Sequence, residues 1–477
     1  MTATKAPGRP APSERAHLTL AEGLRALDKG TLSAEAWAQA CLERIAQRNQ
    51  DVKAWVHVAG EAALAQARAI DRRGRRSRYE GAPIGIKDTI DTADMPTELG
   101  EPEIFTGRQP TQDAPVVTRA REQGFVLLGK NTVSRHAIML PGPCRNPHDL
   151  TRSPAASSAG SGAAVADFMA PLSIGTQTAG SILRPASFCG AVGFKPTHDA
   201  IPYVGIRSYS RPLDVIGPLC RSVEDAQLFM HAFVGDPRFA PSLESGNALR
   251  LGVWRPRAWP EAEPAAQAVF EECLSRLTAA GVSLQVLSMP AAYEEIGDIQ
   301  DVIMAYDLAR EYAHIRRDHA ALCDPELLAY LALGDTYTDA DYASALDAAD
   351  KCRRAFYDIA RDVDAIIMPA TLGVATPAAS TGSSVSSARG HCCTIPRFHC
   401  RSDAVRKVCP LPCSSWAPRR KIPNCCSMRA AWNPFSGIGP GKRSRRGCCR
   451  GLIYCSFSPN DFTNGANNFF SSCTRVA

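Results

Sequence analysis

Two runs of small residues, SPAASSAGSGAAVA (153–166) and IGTQTAGSILRPA (174–186), limit what this chain can fold into more than any other feature. Only the segment DFMAPLS separates them, and the apolar stretch FCGAVGFKP follows directly. Ser/Gly-rich runs usually serve as flexible linkers, but a linker does not sit between apolar core segments. Small residues inside a core instead let backbone approach backbone, or a ligand, closely. A serine in such a run, Ser181 above all, sits where several backbone N–H groups can converge on one oxygen.

Around these runs the pattern is that of an α/β chain. Leu20, Leu24 and Leu27 mark one helix, and Trp37, Cys41 and Ile45 the next, with Ser33 as its N-cap. A further helix covers 60–73. APIGIKDTID (82–91) reads as a short strand running into a polar turn, and VVTRAREQGFVLLGKN as a helix, a glycine stop and a buried strand. GFVLLGKN (124–131) nearly fits a phosphate-binding loop. Its inner residues are strand formers, however, and Asn131 stands where a hydroxyl is needed, so it is read as a strand. Residues 226–365 are mainly helical and Ala-rich, with strands at 249–254 and 283–287, and VDAIIMPATLG (363–373) returns to a buried strand. Alternation of this kind predicts a mixed β-sheet core covered by helices in a single large domain.

A hydroxyl is a weak nucleophile until a base activates it. His57, His136, His148 and His198 lie in no motif, and there is no G-x-S-x-G elbow. Lys87 follows PIGI at the end of an apolar strand. A buried lysine can lose its proton near neutral pH and act as a base; the competing reading is a lysine paired with Asp88, which the residues alone leave open.

Four separated blocks, PIGIKDTIDTADMPT, NPHDLTRSPAASSAGSGAAVA, GTQTAGSILRPASFCGAVGFKPT and LDVIGPLCRSVEDA, resemble the amidase signature family in order and spacing over residues 17–385. The resemblance implies the amidase-signature α/β fold and hydrolysis of a carboxylic amide, or an ester by the same route, through a Ser181 acyl-enzyme. It implies a catalytic triad of Lys87, Ser157 and Ser181, with a cis peptide bond before Ser157 and an oxyanion hole made by the backbone N–H groups of Thr178, Ala179, Gly180 and Ser181. No cofactor and no metal are implied. A near relative within the family, the A subunit of a tRNA-dependent amidotransferase, has the same triad, but the TQTAGS variant favours a free-standing amidase. The chain also departs from the commonest family pattern. Ala155, Ala156, Ala159 and Ala179 replace glycines, Gln177 replaces an acid, and Leu183 stands where arginine is usual, an exchange that keeps charge neutral and leaves Arg184 to compensate. SRHA (134–137) stands where the family has an acidic–aromatic pair.

The composition changes after STGSSV (380–385). Of 18 cysteines, seven are scattered singly before this point and the rest crowd into the remainder, beside basic runs such as KRSRRGCCR (442–450). Read from two nucleotides into the Val408 codon, permitted codons for residues 408–426 can give LPVAVQLVGAPPEDPELL, a family-like ending. The expectation is a change of reading frame near Ser386, with 386–477 a disordered, out-of-frame tail and 1–16 a disordered N-terminus. The domain would then be 17–385, with a helical insertion within 226–365. An inactive product whose basic tail holds polyanions nonspecifically is the reading from a different class. The net charge of +6 lies largely in that tail, and no segment offers the ~18 apolar residues of a membrane span. The expected partner is a small-molecule amide in the cytoplasm, with a homodimer open and no specific nucleic acid or membrane.

Overall fold

The strands fall into two sheets, and the order of the larger one places the serine runs. In this computed structural model, which describes residues 11–239, 250–293, 295–381 and 451–455, the strands in chain order are β1 (Trp55–Val58), β2 (Pro83–Lys87), β3 (Val126–Asn131), β4 (Leu172–Gln177), β5 (Val192–Gly193), β6 (Val215–Cys220), β7 (Arg250–Val253), β8 (Ser283–Val286), β9 (Ala365–Pro369) and β10 (Gly451–Cys455). The six-stranded sheet runs β1-β3-β2-β4-β6-β5 and the four-stranded sheet β10-β9-β7-β8. Central β2 lies parallel to both β3 and β4, whereas β6 is antiparallel to β4.

In the larger sheet β2, β3 and β4 are buried along their whole length, as are β5 and β6. That is why PIGI of β2 and VLLG of β3 show no apolar–polar alternation. The near-match to a phosphate loop at 124–131 is indeed a strand. Gly85 in β2 is there for want of room: a Cβ would meet Asn131 Oδ1 at 2.5 Å and Ser173 Oγ at 2.7 Å, from the strands on either side.

Helices Leu20–Asp28, Ala34–Val52 and Gly60–Arg73 cover this sheet. Ser33 accepts a hydrogen bond from Ala36 N, as its N-cap role requires. Trp37 is fully buried and its ring lies where a side chain on Gly23 would go, with a Cβ there only 2.0 Å from the ring. Gly23→Ala therefore sets a helix-propensity gain of ~1 kcal/mol against overpacking of a Trp that cannot retreat. The clash, typically about 1–3 kcal/mol and here at its upper end, prevails, and thermal unfolding should report a net loss of about 2 kcal/mol.

Two expectations are corrected. The run 1–16 was expected to be disordered, but Pro12–His17 forms a 3-10 turn. Glu14 bonds back to Ala11 N, and the His17 ring stacks on Phe168 at 4.2 Å, anchoring the segment. Within 386–477, where no element was expected, Gly451–Cys455 pairs parallel with β9 in full register. GLIYC is a run of strand formers, and it meets the side of β9 that β7 leaves open. The rest of that tail, and with it the reading-frame question, lies outside the described residues.

Candidate active site

Strand direction brings the expected residues to one edge. Parallel β2 and β4 end at the same side of the sheet, so Lys87, the last residue of β2, and the loop Thr178–Ser181, which follows β4, emerge together. Antiparallel β6 begins there, since Val215 pairs with Gln177, and this puts Asp214 at the same edge. The helix Ala159–Ala166 packs on these strands, with Ser157 just before its first turn. Its Gly160 allows a close approach: a Cβ would lie 2.4 Å from Ala54 O and 2.5 Å from Thr132 N. The peptide bond Ala156–Ser157 is cis, as expected.

Lys87 is completely buried. Its Nζ donates to Ser157 Oγ at 2.7 Å and to Thr176 Oγ1 at 2.7 Å. The competing reading, a pair with Asp88, does not occur; the cation beside Asp88 is Lys130, at 3.6 Å. Burial pulls the Lys87 ammonium down to about 7, against a smaller opposing pull from the Asp214 carboxylate. Asp214 is itself pushed up to about 6 by burial, although four groups donate to it. Thr178 Oγ1 and Ser208 Oγ donate at 2.6 and 2.8 Å, and Tyr209 N and Ser210 N at 2.9 and 3.2 Å.

Ser157 and Ser181 line one cavity of about 250 Å³ with Thr178, Ala179 and Gly180. The two serines are tied through the backbone, Ser158 N donating to Ser181 O at 3.3 Å. Their hydroxyls do not bond directly to one another. No acceptor for the N–H groups of residues 178–181 is found among the described residues, and this leaves four donors at the cavity wall. Gln177 caps the turn that follows the loop, its Oε1 accepting from Ile182 N and Leu183 N at 2.9 and 3.1 Å. Leu183 is buried in the core. Arg184, also buried, donates to Ala156 O at 3.3 Å and Thr381 O at 3.4 Å, tying down the loop that carries Ser157.

Some functional positions have no signal in the sequence. Thr176 and Asp214 meet Lys87 and Thr178 only through strand pairing. His136, which lay in no motif, is enclosed between Glu101 and Asp324 at 2.8 Å on each ring nitrogen. Both His136 and Ala137 hold left-handed backbone, φ 52°, and residues 137–140 then line the cavity. The SRHA departure thus anchors one wall of the site. None of His57, His136, His148 and His198 is itself in the lining. Among the described residues no cluster of His, Cys, Asp and Glu has a metal-holding arrangement, and no helix is long and apolar enough to cross a membrane.

The Amidase family matches residues 36–391. The A subunit of the glutamyl-tRNA(Gln) amidotransferase of Thermobifida fusca (strain YX) is 33% identical over 408 residues, 75% of this chain and 82% of that protein. Its counterpart from Salinispora arenicola (strain CNS-205) is 33% identical over 412 residues, 76% and 84% of the two chains. Among solved structures, an amidase superposes with a TM-score of 0.71 at 29% identity, over 81% of this chain and 90% of its own. The native peptide amidase of Stenotrophomonas maltophilia superposes with 0.66 at 27% identity, over 78% and 88%. A buried lysine against a serine that follows a cis bond, a second serine in a loop of unpaired N–H groups, and these matches lead to one conclusion: the chain belongs to the amidase family of hydrolases acting on amide C–N bonds.

Proposed function

We propose that the chain hydrolyses a small carboxylic amide on its own, through an acyl-enzyme at Ser181. The observation that carries this is a fully buried Lys87 amine, brought near neutrality by burial, 2.7 Å from the Ser157 hydroxyl in the cavity that Ser181 lines. Neutral Lys87 takes the Ser157 proton, Ser157 takes the Ser181 proton, and Ser181 Oγ attacks the amide carbon. The carbonyl oxygen, now an anion, accepts from the N–H groups of Thr178, Ala179, Gly180 and Ser181. The C–N bond breaks as the relay returns its proton to the leaving amine. Water, deprotonated through the same relay, then cleaves the ester to free the acid and regenerate Ser181.

A mass-spectrometric search after fluorophosphonate labelling tests this directly. One adduct on Ser181 is expected; an adduct elsewhere, or none, overturns it. A second reading is favoured by the curated relatives, which are named as amidotransferase A subunits. Ammonia release from a simple amide by the purified chain alone supports the free-standing enzyme, whereas activity that appears only with a copurified protein supports the other. The family match ends at residue 391, which supports a frame change near Ser386; the nucleotide sequence at that codon decides it.

Asp214 acts as a positioning residue, through Thr178 and through its charge near Lys87. Asp214→Asn should lower kcat about tenfold. It should also move the acid limb of the pH profile down, because it removes the charge that favours the Lys87 ammonium. A purely structural role would change kcat without moving that limb.

A further inference from the structure

Beyond the triad, the cavity wall has little polar chemistry to spare. Thr178 Oγ1 donates to Asp214 at 2.6 Å, and the Tyr209 hydroxyl to His136 O at 3.3 Å. Arg184 is the basic group of the lining among the described residues. Its buried guanidinium donates to Ala156 O, Thr381 O and Met139 Sδ, at 3.3, 3.4 and 3.1 Å. The Tyr330 hydroxyl is shut away from solvent, Asp301 is already engaged, and Glu326 is exposed. With Ser157 and Ser181 given to the relay, what meets the non-reacting part of a bound molecule is carbon.

Two separate elements supply that carbon. Met304 and Leu308 stand one turn apart on the helix Ile296–Glu311, on one face of it. Ile138 and Leu140 follow the left-handed pair His136–Ala137. His136 is held between Glu101 and Asp324, and Met139 Sδ accepts from Arg184, so this wall is fixed before a ligand arrives. The cavity measures about 250 Å³. An apolar cavity of about 150 Å³ takes up a benzene ring, so this one has room for a ring with about two or three further carbons, or an alkyl chain of similar volume. A charged end seated there gives up its hydration and meets no partner, which costs more than the spacer gains.

We infer that the substrate is the carboxamide of a neutral, apolar acid, an alkyl or arylalkyl chain of about six to nine carbons. Ile138, Leu140, Met304 and Leu308 set this preference. The inference rests on Ser181 being the nucleophile, because the chain then runs from the acyl carbon into the apolar part of the same cavity. Each methylene that leaves water on binding stays out of water in the transition state, so it raises kcat/KM.

The test measures ammonia release by the full chain from a series of straight-chain amides starting at propanamide. From propanamide to hexanamide kcat/KM should rise about fourfold per methylene, and the gain should level off beyond about nine carbons. Two amides of the same reach as hexanamide, 5-aminopentanamide and adipamic acid, carry a charge at the far end. Each should fall at least about 100-fold below hexanamide. Met304→Gln and Leu140→Gln should each cut the hexanamide-to-propanamide ratio severalfold, and Met304→Leu should keep it. A flat or falling series, a charged amide turned over as well as hexanamide, or a ratio indifferent to both Gln variants overturns the inference. If a neutral fluorophosphonate leaves Ser181 unlabelled, the nucleophile itself is wrong and the inference falls with it; labelling together with a flat series sinks the inference alone. If Ser181 labels but none of the amides turns over, protection decides. Slower labelling with 1-hexanol than with hexanoate or n-hexylammonium supports the apolar site, and equal protection overturns it.

Discussion

Ser181→Ala lowers kcat/KM for ammonia release from a simple carboxamide by roughly 10⁴-fold or more, and adding Lys87→Ala to it lowers the rate little further. The first loss is large because the loop's other hydroxyl, Thr178 Oγ1, is taken up by its hydrogen bond to Asp214. The lack of a further loss follows from the relay: once the nucleophile is gone, the base has no proton to remove. Ser181 is half-exposed, and its hydroxyl holds no buried partner, so the unfolding temperature should stay within a degree or two of the parent. A double mutant much worse than the single would mean that Lys87 acts outside the relay. A single mutant within tenfold of the parent would remove Ser181 from the chemistry.

What could be read from the sequence, and what could not, follows from where each constraint lies. Lys87 and Ser181 stand out locally as candidates, one at the end of an apolar strand and one in a run of small residues, whereas Ser157 and the cis bond before it came only with the family resemblance. Buried strands β2, β3 and β9 are legible from the apolar runs PIGI, VLLG and AIIMP within them. Partition into two sheets is not, because nothing local says which strands pair. The same holds for Asp214, which reaches Thr178 only because β6 runs antiparallel to β4. Thr176 shows the same limit, since it reaches Lys87 only because β4 lies beside β2. His136 is the instructive case. Its sequence context looked like a departure from the family, yet Glu101 and Asp324, distant in sequence, give it two partners.

Lys87→Met separates chemistry from stability, because the two should move in different directions. The parent needs Lys87 neutral, and its ammonium is held near 7 by burial. Below that pH the base is protonated, so kcat/KM should fall about tenfold per pH unit, and above it the profile should level off. Lys87→Met has no base at any pH, so activity should drop roughly 10³-fold and the acid limb anchored near 7 should disappear. Stability follows the opposite logic. Between about 7 and the ordinary lysine range of 10.5, the unfolded chain binds a proton that the folded chain does not. The Lys87 contribution to stability therefore rises with pH across that window, and is at its lowest below 7, where folding must bury a charge. Methionine removes that burden while filling a similar volume, at the cost of two hydroxyls, Ser157 and Thr176, that lose a donor. The variant should then melt at or above the parent temperature near pH 6 and lose that advantage towards pH 10. Paired activity and melting curves from pH 5 to 10 check both limbs. A Lys87→Met enzyme with a preserved acid limb near 7 would place the essential base elsewhere. A variant that melts well below the parent at pH 6 would mean that the ammonium is held by partners stronger than these two hydroxyls.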